Sequence, residues 1–141
     1  MRMRWFGLLC GFTLFFMACL RGEITDAATA FTIGMLGGFL IDWIGIRKFH
    51  LWNYPRQPFL GMKYFVIVVP VWGVFGMAIN LFWGWIGVSW LAFIVLFAGL
   101  FAFFELPNLI TKSWKYQAPT WLVVIGWIPL IVFFRVPFEV I

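Results

Sequence analysis

Charge is scarce in this sequence. Of its 141 residues, 11% are Asp, Glu, Lys or Arg, against about 25% in an ordinary soluble domain. It has 2 cysteines and 1 histidine. Cys10 and Cys19 fall on one predicted helix, on opposite faces and about 13.5 Å apart along its axis, so they cannot bridge each other. Two cysteines and one histidine make no CxxC or HExxH pattern, so no metal site is expected. No GxSxG elbow, Walker loop or nucleophile–base pair is present. No aspartate-rich pair exists to hold Mg²⁺ on a diphosphate, and no cofactor is expected.

What is present is apolar surface. Hydrophobic residues make up 65% of the chain, aromatic ones 23%, and the mean hydropathy is +1.02. A folded chain of this size still exposes roughly a third of its unfolded surface, too much for so apolar a composition to stay in water. A soluble domain, a disordered chain and a secreted disulfide scaffold are all excluded. The expected fold class is all-α: a polytopic transmembrane bundle of about five helices, forming one integral membrane domain over residues 1–141.

Five apolar runs mark the helices: Trp5–Leu20, Ala27–Ile46, Tyr64–Phe82, Val88–Phe104 and Trp121–Phe134. About 20 apolar residues cross a bilayer, and the shorter first and last runs are accommodated by thinning or snorkelling. Continuous runs, rather than alternating ones, argue against a β-barrel. The net charge of +5 would suggest nucleic acid in a soluble chain. Here the basic residues lie between apolar runs and read as topology signals and lipid-headgroup contacts, so no nucleic-acid partner is expected. Arg2, Arg4, Arg47, Lys48, Arg56, Lys63, Lys112 and Lys115 share one side, with Arg21 and Arg135 on the other. The positive-inside rule then puts the N-terminus in the cytoplasm and the C-terminus outside, in the cytoplasmic membrane. Arg2 and Arg4 before an apolar stretch also have the form of a signal peptide. The expectation here is a retained first helix, and cleavage would leave the orientation unchanged.

A parallel duplication of a helix–loop–helix unit is expected, with units over 27–82 and 88–138. Asp42 ends one helix and is followed by Trp52-Asn53-Tyr54 and a helix holding Pro70. Glu105 ends another and is followed by Trp114-Lys115-Tyr116 and a helix holding Pro129. Gly34, Gly38, Asp42 and Gly45 step by helical spacing and share a face, so Asp42 is expected to point into the bundle, where small residues let helices pack closely. Its expected structural partners are Arg47, Lys48 or backbone. Ala98, Ala102 and Glu105 repeat the pattern, with solvation at the interface as the plainer outcome for Glu105. Asn80 shares a face with Gly73, Gly76 and Gly84, and is read first as a tie between helices. Asp26 is expected to cap the second helix.

The stretch Gly38–Trp72, with Asp42, Arg47, Trp52-Asn53-Tyr54, Gly61 and Pro70, resembles the small-subunit type of lycopene β-cyclase and the related carotenoid hydratases. That resemblance implies a compact, aromatic-rich helical membrane protein that protonates or hydrates a polyene without redox change. Pro70 is followed by Val71-Trp72, where those enzymes carry paired carboxylates. Three functions are therefore carried forward. The first is a scaffold or accessory subunit packing with membrane lipids or other membrane subunits. The second is an acid-catalysed enzyme acting on an isoprenoid or polyene, with Asp42 and Glu105 as proton donors and Trp52, Tyr54, Trp72, Asn80, Trp114 and Tyr116 around the ligand. The third is a small oligomeric transporter.

Overall fold

The computed structural model describes residues 3–87, 91, 94–95, 98–99, 102, 105–112 and 114–140. Helix α1 spans Met3–Arg21 and α2 spans Ile24–Asp42, extended by a π-helical turn over Trp43–Lys48. Strand β1 is Trp52–Asn53. A second π-helical turn, Tyr64–Val68, leads into α3, Val69–Ile86. Then come α4, Leu106–Thr111; β2, Lys115–Tyr116; and α5, Thr120–Val140. The all-α class holds, and the continuous helices Ile24–Lys48 and Tyr64–Ile86 are long and apolar enough to cross a membrane. The fourth expected span, 88–104, lies largely outside the described residues.

Gly22, at φ +74°, closes α1 in a left-handed conformation that glycine adopts without steric cost. The Glu23 N–H then reaches back to the Ala18 carbonyl at 2.8 Å, turning the chain straight into α2. Asp26 does not cap this helix: the N-cap position belongs to Glu23, whose side chain makes no capping bond. Glu23 instead accepts from Trp85 Nε1 at 2.6 Å and from Arg21 Nε at 3.0 Å, pinning the α1–α2 turn to the end of α3. The Trp85 hydrogen bond comes first among the contacts that hold the Glu23 carboxyl below its ordinary range.

α2 and α3 pack backbone to backbone. A side chain at Gly34 would meet the Trp72 carbonyl at 2.5 Å and the Gly76 Cα at 2.9 Å, so glycine there lets the two helices touch. Ala18, Ala27 and Ala30 are fully buried beside them, and Phe75, Ile79, Ile131 and Phe134 fill the space between α3 and α5. Pro70 lies inside the continuous helix Tyr64–Ile86, directly after its π-helical turn, and that turn is the irregularity that accompanies the missing N–H. The small face around Asn80 stops short: Gly73 and Gly76 are buried, whereas Gly84 is exposed with nothing within 4 Å of a would-be Cβ.

The two W-x-Y segments lie side by side. β1 and β2 pair antiparallel, with Trp52 opposite Tyr116 and Asn53 opposite Lys115. The Gln117 N–H adds a bond to the Leu51 carbonyl at 2.7 Å. This short ribbon covers one end of the helices and sets the position of the site.

Candidate functional site

Asp42 is completely buried. Two glycines on its own helical face make the space for its partners. A Cβ at Gly38 would fall within the Trp72 ring, and one at Gly45 within the Trp52 ring. Both indoles therefore reach the carboxylate edge-on. Trp52 Nε1 donates to Oδ1 at 2.9 Å and Trp72 Nε1 to Oδ2 at 2.8 Å. The Tyr54 hydroxyl donates to Oδ1 at 2.9 Å and the Tyr64 hydroxyl to Oδ2 at 2.8 Å. The expectation of Arg47 or Lys48 as partner is corrected: the Arg47 guanidinium lies over the Phe59 ring, 5.9 Å from its centroid, and the Lys48 ammonium over Phe49. Four neutral donors in fixed positions satisfy the buried carboxylate without the cost of desolvating a cation.

Glu105 repeats the arrangement with fewer donors. The Tyr116 hydroxyl and Trp127 Nε1, the latter at 3.1 Å, both donate to Oε1. Glu105 is 6% exposed, so it is not solvated at an interface, and the alanines expected to share its buried face, Ala98 and Ala102, are exposed. Asn108, also buried, accepts the Trp114 backbone N–H at 3.0 Å and holds the second W-x-Y segment in place.

Burial first, and then the Asp42 charge, pushes the Tyr54 phenol well above its ordinary range. Burial and Glu105 do the same to Tyr116. Both phenols donate hydrogen bonds to their carboxylates.

Five of these donor rings wall one cavity of about 430 Å³: Trp52, Tyr54 and Trp72 from the Asp42 cluster, Tyr116 and Trp127 from the Glu105 cluster. Trp114 completes the aromatic wall and Phe75 lies deeper. Neither acid lines the cavity, because the rings stand between. The ring N–H and O–H groups are taken up by the carboxylates, so the interior presents aromatic and aliphatic carbon. The exposed members of the lining are Leu40 of α2, Ile44 of the π-helical turn that extends it, and Leu122, Pro129 and Phe133 of α5. Among the described residues the cavity therefore opens sideways, between two helices, over an apolar lip. Its volume sits in the range of about 300–1,000 Å³ usual for small-molecule sites.

Of the residues expected around a ligand, Trp52, Tyr54, Trp72, Trp114 and Tyr116 come together here. Asn80 does not. Its amide donates to the Gly76 carbonyl at 2.9 Å and to the Phe134 carbonyl at 3.2 Å, tying α3 to α5, and its oxygen accepts from Arg135. Two members of the site were missed in the sequence, Tyr64 and Trp127. Each follows its acid by 22 residues, a repeat of spacing that would have found both. Among the described residues no three His, Cys, Asp or Glu side chains gather as metal ligands.

No protein family, curated protein or solved structure matches the chain. The site is read from its own chemistry.

Proposed function

We propose that this chain is a small integral membrane protein that holds a lipid or another bilayer-soluble molecule in the cavity without altering it, as a scaffold or accessory subunit. The observation that carries the reading is the uptake of the wall donors by Asp42 and Glu105, which leaves a defined but apolar interior behind an apolar lip. The bilayer setting is supported by the two long apolar helices. It is supported again by α1, where Leu8, Phe12 and Leu20 are each at least 60% exposed, a surface that water does not tolerate over a contiguous patch. The basic residues beside the ribbon favour a cytoplasmic position for that end and for the N-terminus.

The ribbon also supports the duplication and the span number. Asn53 and Lys115 are the middle residues of the two W-x-Y segments and face each other. A two-fold relation between parallel units, with its axis between those residues, gives this register. With both segments at one end, a membrane crossed by α3 is crossed back before Lys115, in keeping with five spans in all.

The proton-donor reading needs a carboxyl hydrogen aimed into the cavity. Both Asp42 oxygens instead accept from ring donors, three of which, Trp52, Tyr54 and Trp72, stand between the carboxylate and the cavity. The test is to purify the protein in synthetic detergent and analyse its organic extract by mass spectrometry and visible absorbance. Bound lipid or isoprenoid near one per chain is expected, and it should be lost in Gly126→Phe. Gly126 lines the cavity with nothing within 4 Å of a would-be Cβ, so the new ring fills the space. Equal retention by the variant would refute the site. A chemically altered isoprenoid would favour catalysis instead.

A further inference from the structure

We infer that the cavity selects an organic cation without N–H groups, a quaternary ammonium group such as trimethylammonium, seated between the Asp42-bound and Glu105-bound rings. The inference rests on the reading that the cavity takes a ligand, and it names the ligand's chemistry.

Three features point to it. The first is uncompensated charge. Trp indole N–H groups only donate, and Asp42 receives one on each oxygen together with two phenols, the pattern of an ionised, acceptor-only carboxylate. Among the described residues no cationic side chain pairs with Asp42 or Glu105 within 4.0 Å. The second is what the cavity shows to a guest. The negative face of an aromatic ring attracts a cation within about 6 Å of its centroid. Hydrogen bonds from a ring's edge to an anion polarise the network in the same sense. The carboxylates thus act on the cavity through its walls, and a neutral hydrocarbon gains nothing from them.

The third feature sets the kind of cation. The Asp42 oxygens are occupied and neither acid lines the cavity, so a primary ammonium or guanidinium would bury N–H donors with no acceptor. A quaternary ammonium has none to satisfy and presents methyl groups to the rings. The lip of Leu40, Ile44, Leu122 and Phe133 suits methyl-covered charge as well. The group can come from a free solute such as choline or from the headgroup of a phosphatidylcholine-type lipid.

The experiment titrates the purified protein, followed by tryptophan emission, with choline and with 3,3-dimethylbutan-1-ol, which has the same shape and no charge. Choline is expected to bind about tenfold tighter. Glu105→Gln is the variant of choice. Both donors go to Oε1, so a glutamine carbonyl keeps them while the charge is removed. The preference for choline should fall several-fold in that variant, with the circular dichroism spectrum unchanged. In nanodiscs of phosphatidylglycerol, saturation by free choline identifies a solute site. A response to added phosphatidylcholine, with none to choline, identifies a headgroup site. Equal binding of choline and its neutral isostere, or a preference that Glu105→Gln leaves intact, overturns the inference and leaves the lipid-holding reading standing. With no response to any of these probes and no co-extracted lipid, both fall.

Discussion

Trp52 and Tyr116 face each other across the ribbon, and each donates a hydrogen bond to a different buried acid, Trp52 to Asp42 and Tyr116 to Glu105. Two carboxylates far apart in sequence are thereby joined through one pair of opposed residues. The ribbon is too short to be stable alone. The acids below it anchor its side chains, and it in turn closes the end of the cavity.

The two acids should tolerate amide substitution unequally. In Asp42→Asn, either orientation of the amide turns its NH₂ toward an indole, Trp52 on one side or Trp72 on the other. An indole cannot accept, so one buried donor is stranded and the bonds to charge are lost. The expected cost is roughly 3 kcal/mol or more, against about 1 kcal/mol for Glu105→Gln. Thermal unfolding in detergent should separate the variants clearly, and equal midpoints would refute the donor assignment at Asp42.

Glycine positions along α2 and α3 give an independent check on ring placement. Gly38→Ala and Gly45→Ala each drive a methyl group into an indole bound to Asp42, and overpacking of this kind costs about 1–3 kcal/mol. Gly84→Ala meets nothing within 4 Å and, in a helix, should be neutral or stabilising. Tryptophan emission should shift in the first two variants and stay unchanged in the third.

Much of this was legible in the sequence, and the remainder was not for identifiable reasons. The stagger of Gly34, Gly38, Asp42 and Gly45 marked the inward face of α2, because helical spacing fixes which residues share a side. The recurrence of acid, W-x-Y and proline marked the segments that meet in the ribbon. The choice of neutral aromatic donors over Arg47 and Lys48 was not legible. It depends on where the ribbon places Trp52 and Tyr54, which no local spacing states. The exposure of Gly84, Ala98 and Ala102 escaped for the same kind of reason: a helical face has a direction in the sequence, but its extent depends on how far the neighbouring helix follows it.

The buried phenols predict a specific alkaline behaviour. Tyr54 and Tyr116 have folded pKa values raised above the unfolded one, which is about 10. Their contribution to stability is therefore complete below about pH 10 and is lost as pH rises beyond it, since only the unfolded chain then releases these protons. Phenolate absorbance at 295 nm should stay low for these two residues past the ordinary midpoint and rise together with loss of near-ultraviolet circular dichroism. Full titration of all three tyrosines near pH 10 in a chain that remains folded would contradict their burial.

The ribbon register makes the last prediction. Asn53 and Lys115 are directly paired, and opposed residues in an antiparallel ladder have Cα atoms about 4.5–5.5 Å apart, inside the range of about 4.4–6.8 Å that a disulfide spans. With Cys10 and Cys19 replaced by serine, Asn53→Cys combined with Lys115→Cys should lose both free thiols under mild oxidation. Asn53→Cys combined with Gln117→Cys is displaced by two residues, to a diagonal separation of roughly 7–8 Å, and should keep them. Maleimide labelling followed by mass measurement distinguishes the outcomes. Crosslinking of the displaced pair alone would mean a slipped register, and with it the loss of the symmetric pairing that supports the duplication. Reactive thiols in both pairs would separate the two loops, leaving an odd number of membrane crossings open between them and removing the aromatic wall that Trp52 and Tyr116 share.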